Sequence, residues 1–396
     1  MSAEITLNPV TSGVEAVAGR PRAARVPWMV WTSAAATTSV VVGSIWDISW
    51  HVSVGRDTFW TPPHLLIQLC AAIGGVTAVY LIARATFAGE DKARAESVRI
   101  FGLRAPLGAF ICGWGALAML TSAPFDNWWH EAYGLDVKVV SPPHMLLALG
   151  AMGVVYGGFA LTMAQLNRAS AALTHRIETV FIVLIGVLMT GAQAELIEYS
   201  NKGFMHSAIF YRAFAFVYPA QLVLVRRIAT RRWASVTAAA VYFALSLAQE
   251  WVFPLFPAEQ KLGPVFQRVP YMVPLGFPVM IIAPAVALDV LWPWMQRLNV
   301  WALGALAGIV FLVSFVAVQW PFADFLMSPL SRNWVFGTHY QMYMVSPTAP
   351  GARSEFFAYE TSRAEFWRGM AIAAATAMVS SRIGLAVGAW LRRIQR

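Results

Sequence analysis

Long apolar runs separated by short charged stretches set the pattern of this chain. The first extends from Val26 to about Trp50, and others follow at about 62–86, 105–123, 142–165, 177–199, 205–225, 233–254, 271–294, 299–319 and 368–390. At ~1.5 Å of rise per residue, runs of this length can cross a hydrocarbon core ~30 Å thick. The pattern predicts an all-α fold, a polytopic transmembrane helix bundle of about ten spans.

The charges orient the runs. Arg94, Arg99 and Arg104, then Arg168 and Arg176, then Arg226, Arg227, Arg231 and Arg232, and finally Arg392 and Arg393 all fall in alternate connections. Lys and Arg accumulate on the cytoplasmic side of membrane proteins, so these connections and both termini are expected inside. Residues 1–26 read as a cytoplasmic tail. Cleavage of the first run as a signal peptide would remove Asp47 and His51 from a motif they belong to, so the run is expected to stay as a helix. The segment 320–367, rich in aromatic residues and turn formers, is expected on the outer face of the cell (inner) membrane.

Composition agrees with this reading. Of 396 residues, 58% are hydrophobic and 12% charged, and 17 are Trp, which is far from soluble usage. The net charge of +9 is explained by the cytoplasmic clusters, so no nucleic-acid partner is called for. Cys70 and Cys112 lie inside apolar runs and indicate neither a disulfide framework nor a thiolate metal site.

One stretch occurs twice. Asp47, Trp50, His51, Gly55, Asp57, Pro62, Pro63 and His64 are repeated in order by Asp126, Trp129, His130, Gly134, Asp136, Pro142, Pro143 and His144, with one extra residue in the second copy. Asp and His at i and i+4 share one helix face, and Pro-Pro opens the next helix just before the second His. Each copy thus offers one carboxylate and two imidazoles from adjacent helix ends, a metal-ligand set by residue type. Gly55, Gly134, Asp57 and Asp136 read as turn residues, and Trp46, Trp50, Trp60, Trp128 and Trp129 as an interfacial aromatic belt. Residues 27–166 then form a duplicated helix-pair region. Residues 167–270 are membrane helices of unassigned type, and 271–396 a last membrane region with its outer loop.

Three acidic residues flanked by apolar sequence, Glu195, Glu198 and Glu250, allow two readings. One is a pathway or ligand role, since carboxylates inside a membrane are costly. The other is interfacial pairing with Lys202, Arg212 or Lys261. Asp289 reads as a structural or interfacial group.

The ligand spacing resembles the C subunit of the copper membrane monooxygenase family, which includes particulate methane monooxygenase and ammonia monooxygenase. The wording around it is also similar: Trp50-His51, Arg56-Asp57-Thr58 and Thr61-Pro62-Pro63-His64. The resemblance implies one copper site at Asp47, His51 and His64, the set that would be catalytic. It implies a second at Asp126, His130 and His144, with Asp126 where the family usually has Asn. Gln319-Trp320-Pro321-Phe322-Ala323, Thr348-Ala349-Pro350 and Arg363-Ala364-Glu365-Phe366 resemble, more loosely, the end of the A subunit. The resemblance further implies insertion of one atom of O2 into a small apolar substrate or ammonia. With it come an electron donor, a separate cupredoxin-like B-type subunit and an oligomer in the lipid bilayer. Residue type by itself admits copper, iron or zinc. A metal-handling or transport protein without oxygenase activity is the alternative. A bis-His haem is disfavoured because the four histidines flank the runs instead of lying within them.

Overall fold

The computed structural model describes residues 25–55, 59–88, 90–134, 141–199, 204–261, 270–336 and 360–396. Asp57, Asp136, most of the tail 1–26, the Glu198 side chain and Thr348–Pro350 lie outside the described residues. The chain is a helical membrane bundle. Two hairpins lead: α1 (Trp28–Ser53) with α2 (Pro62–Phe87), and α4 (Leu107–Tyr133) with α5 (Pro142–Asn167). Between them lie a five-residue helix, α3 (Asp91–Ala95), and a two-stranded antiparallel hairpin, β1 (Val98–Ile100) and β2 (Leu103–Ala105). Its two-residue turn has positive φ at Phe101 and Gly102, the geometry that matches the strand twist. The chain continues as α6 (Ala171–Glu195), α7 (Ala208–Ile228), α8 (Ala234–Val252), α9 (Ile282–Met295), α10 (Val300–Met327) and α11 (Arg363–Leu391).

Among the described residues nine helices are long and apolar enough to cross a membrane; α9 is the short exception. Many are apolar all round, as a helix must be when one side meets protein and the other lipid. Val76, Val79, Phe216, Val313 and Val379 point outward, while Phe210, Tyr211, Phe214, Tyr218, Tyr242, Phe311 and Phe315 fill the centre between α7, α8 and α10. Successive helices run up and down, so the basic clusters around Arg94–Arg104, Arg168–Arg176, Arg226–Arg232 and Arg392–Arg393 gather at one end of the bundle and the two repeated motifs at the other.

Small residues set the closest helix approaches. A side-chain carbon added to Gly115 would lie 2.5 Å from the Val154 amide and 2.6 Å from the Gly150 carbonyl, and one on Gly157 would lie 2.6 Å from Cys112. The backbones of α4 and α5 therefore touch almost directly, which is how membrane helices gain contact when lipid offers no hydrophobic drive.

Three runs depart from the sequence expectation. The eighth, expected as a helix over 271–294, is helical only from Ile282. Before it, Tyr271–Ile281 is an extended, largely buried segment in which Pro274 and Pro278, together with Pro270, deny the chain a helical ladder. Non-helical backbone at this depth needs partners for its amides. The Met272 amide donates to the Phe256 carbonyl, Val273 to Ser53 Oγ, Leu275 to Gln249 Oε1, Val279 to the Tyr242 hydroxyl and Met280 to Gln319 Oε1, at 2.7–3.0 Å. Buried polar side chains of α1, α8 and α10 thus do for this pass what an α-helix does for itself. The ninth run does not end at 319: α10 continues through Pro321 to Met327, and burial of Ala323, Leu326 and Met327 offsets the one ladder bond that Pro removes. The expected outer loop is shorter by that much. The last helix also starts earlier than 368, at Arg363, because Ser362 accepts from the Glu365 amide and Glu365 in turn accepts from Thr361.

Candidate metal centres

The first cluster stands where α1 ends and α2 begins. Asp47 and His51 project from the same face of the last turns of α1. Pro62 and Pro63 occupy the first two positions of α2, which need no intrahelical amide donors, and so deliver His64 in its first turn. His64 Nε2 lies 3.1 Å and His51 Nε2 3.6 Å from Asp47 Oδ1. The second cluster repeats this at the end of α4 and the start of α5. His130 Nε2 is 3.5 Å from Asp126 Oδ2, and His144 Nε2 is 3.5 Å from Asp126 Oδ1. In both clusters one donor atom from each residue lies within 4.8 Å of the others.

The distances can be compared with what an ion needs. Bonds of about 2.1 Å in tetrahedral array put ligand atoms ~3.4 Å apart. The carboxylate-to-imidazole separations already match that figure, so only the two imidazoles of a pair have to close slightly. Asp47 Oδ1 and Asp126 Oδ1 are covered atoms whose polar neighbours among the described residues are the imidazole nitrogens themselves. A metal ion placed among them would give the carboxylate and both imidazoles one common partner. The residues present therefore fit a metal of the kind bound by nitrogen and oxygen donors, copper, zinc or iron among them.

The clusters differ in one respect. Both imidazoles of the first converge on the same carboxylate oxygen, whereas in the second each faces its own. Asp126 is thus placed to use both oxygens on one ion, which an Asn at that position would not do. His130 also has its other ring nitrogen, Nδ1, 3.3 Å from the Gly134 carbonyl, a contact of the type that fixes a ligand ring's orientation. Gly55 and Gly134 adopt positive φ, as their reading as turn residues requires. Asn127 turns away and donates to Glu131, in keeping with its place one residue out of step. Trp46 and Trp50 flank the first cluster edge to face, and Phe125, Trp128, Trp129 and Tyr133 form a ring cluster beside the second.

Because glycine contact sets the α4–α5 distance, it also sets the distance from His144 to Asp126 and His130. Replacing Gly115 with Leu forces the two backbones apart. The expected result is loss of metal at the second site with the first unchanged, read as half the metal content by mass spectrometry. Unchanged metal content in a folded Gly115→Leu protein would show that the helix contact does not position the site.

Sequence reasoning passed over a third group at the same end. His206, in the turn before α7, is buried with Nε2 3.0 Å from Asp324 Oδ1 and its ring edge-on to Trp320, centroids 4.7 Å apart. Burial pushes its imidazole below the ordinary pKa against the upward pull of Asp324. Nearby, Glu360 accepts from the Ala208 amide at the start of α7. No repeat or spacing links His206 to Asp324 in the sequence; only the extension of α10 past Trp320 brings them together.

The acidic residues separate in character. Asp289 is structural: it accepts from the Ser235 and Val236 amides that open α8 and lies 3.5 Å from Arg226 Nε. Glu195 is exposed at the end of α6. Glu250 is fully buried, and among the described residues no Lys or Arg pairs with it.

No family model matches the chain, and comparison with curated proteins and with solved structures returns no match.

Proposed function

We propose that the protein is a membrane metalloprotein holding one transition-metal ion in each Asp-His-His cluster, and that it acts as a copper-dependent monooxygenase or a subunit of one. The observation that carries metal binding is the convergence, twice in one chain, of two imidazole nitrogens on a half-buried carboxylate. Copper, and oxygen transfer to a small apolar substrate or ammonia, are supported by the resemblance of the ligand motifs to the copper membrane monooxygenases.

In this reading Asp47 offsets part of the ion's charge, and His51 and His64 hold it at the junction of two helices. Three protein donors leave coordination positions open, and a copper ion there supplies one-electron redox chemistry toward O2. The apolar, Trp-rich surroundings suit a substrate that enters from the bilayer. Electrons come from a separate donor, and a cupredoxin-like subunit and an oligomeric assembly belong to the proposal. The membrane is the cell (inner) membrane, with basic helix ends cytoplasmic and both metal sites toward the outer face.

A metal-handling protein is the second reading. The extended segment leading into a half-length helix favours it, because interrupted helices of this kind build sites in transporters. The test is made on membranes that contain the natural partners and a reductant. Metal analysis with electron paramagnetic resonance is expected to find two ions per chain, copper among them, and O2 consumption to depend on copper. Impermeant thiol reagents are expected to label a cysteine at position 60 from outside. Two bound ions without O2 consumption would leave metal handling, and absence of bound metal would sink both readings.

A further inference from the structure

The interrupted eighth pass brings an unusual set of oxygen atoms into the interior. Glu250, in the last turn of α8, is 0% exposed, and among the described residues no Lys, Arg or His pairs with its carboxylate. Ser246 lies one turn earlier on the same face and is 1% exposed, and its hydroxyl also lacks a partner. Ser49, Thr61, Ser141, Thr162 and Ser381 share that state, whereas Ser53, Thr190, Thr237 and Ser314 each donate to the carbonyl four residues back on their own helix. Ser246 Oγ and the two Glu250 oxygens are three buried oxygens on one helical face with no cationic side chain paired to them among the described residues.

What they face is the extended segment. Gln249, between them in sequence, bonds it at two points: its Oε1 accepts from the Leu275 amide at 2.8 Å, and its Nε2 lies 3.3 Å from the Gly276 carbonyl. Gly276 has φ +103°, which turns the backbone sharply beside the carboxylate. The Gly276 amide and the Gln249 side chain are the polar groups that face Glu250. The other titratable groups on the packed helices are engaged or remote. Glu178 on α6 holds Thr230 and Arg231, and Asp289 on α9 holds the start of α8 and Arg226. Tyr211 and Tyr218 on α7 donate to backbone carbonyls of Met205 and Met189. Glu195 stays exposed at the end of α6.

A carboxylate removed from water with at most two amide donors and no cation is too costly to persist as an isolated charge. One positive charge balances it. Unwound backbone beside a half-helix is a recurring way of providing the remaining oxygen ligands for H⁺ or Na⁺ in membrane proteins. We propose that Glu250 and Ser246, with the Gly276 turn of the extended segment, form a site for a single monovalent cation, a proton or a sodium ion. It is separate from the Asp-His-His clusters and independent of their function. Binding neutralises Glu250 and leaves Gln249 free to hold the segment. Loss of the cation leaves a bare carboxylate that competes for the Gln249 amide and the Gly276 amide, and so loosens the segment from α8.

The experiment uses the full-length protein in lipid vesicles, titrated with acid at fixed sodium and with sodium against choline at fixed pH. Thermal unfolding and amide hydrogen exchange over 271–281 are followed in the native protein, Glu250→Gln and Ser246→Ala. A ligand that binds only the folded state shifts Tm by about 5 °C or more over a hundredfold rise above its dissociation constant. Native protein is expected to show that shift, with slower exchange in the segment, along one of the two titrations. Glu250→Gln, neutral at every pH, is expected to lose it and to hold the segment closed throughout. A proton is identified by a carboxylic-acid carbonyl band in the infrared that Glu250→Gln removes, and sodium by a shift that Ser246→Ala weakens. If native and Glu250→Gln proteins respond identically to both titrations, the site binds no cation and the proposal fails.

Discussion

His51→Ala is expected to leave one metal ion per chain where the native protein holds two, and to abolish copper-dependent O2 consumption. The argument is one of donor number. With His51 gone, Asp47 Oδ1 and His64 Nε2, 3.1 Å apart, are two donors that must hold an ion against water. Loss of even an outer partner of a ligand costs ~10–100-fold in affinity, so loss of a ligand itself should cost at least ~100-fold. His130→Ala should be milder in its effect on activity. Each imidazole of that pair faces its own oxygen of Asp126, so the carboxylate can still offer both oxygens beside His144. The ligand pattern of the first site also follows the resembled family throughout, whereas Asp126 departs from it. Full O2 consumption in the His51→Ala protein, or equal activity with zinc in place of copper, would remove the oxygenase reading.

The fold and the candidate sites were legible to different depths. The helix pairs and the convergence of Asp47, His51 and His64, and of Asp126, His130 and His144, followed from local rules. These are an i, i+4 pair on a helix, Pro-Pro at a helix start, and a short turn between. What escaped depends on contacts distant in sequence. The run 271–294 is apolar enough for a span, and hydropathy does not register that Pro270, Pro274 and Pro278 recur every four residues. The segment survives unwound because Ser53, Tyr242, Gln249 and Gln319 supply acceptors from three other helices. Trp320-Pro321 read as a boundary for the same reason that it is not one: packing of Ala323 and Leu326 outweighs a local break. Glu250 was visible as a costly residue, but pairing with Lys261 and a ligand role were equally open until its burial was known. Part of the likeness at Arg363–Phe366 has a local cause, since Ser362 and Glu365 are there to cap α11.

Asp289→Ala is expected to cost about 3–5 kcal/mol of stability, the usual loss when one partner of a buried ion pair is removed. The carboxylate is wholly buried, 3.5 Å from Arg226 Nε, and it also accepts from the Val236 amide at 2.9 Å and the Ser235 amide at 3.3 Å. Alanine leaves two amides at the start of α8 without their acceptor and the Arg226 charge without its counter-ion, although Arg226 Nη1 keeps the Arg231 and Arg232 carbonyls. Arg226 also lies over the Trp292 ring, 5.5 Å from its centroid, and that contact cannot replace a carboxylate. Asp289→Asn keeps one acceptor oxygen and should lose less. The double change Arg226→Met with Asp289→Leu removes both charges together, so it should recover part of the loss, yet stay below the native protein because the α8 amides remain uncapped. Reversible unfolding in mixed micelles, titrated with a denaturing detergent, reads all four proteins on one scale. If Asp289→Ala unfolds at the same detergent fraction as the native protein, the carboxylate does not hold α7, α8 and α9 together. Because α8 carries Gln249 at its other end, the same loss should also speed amide exchange in the extended segment, whose Leu275 amide depends on that helix staying in place.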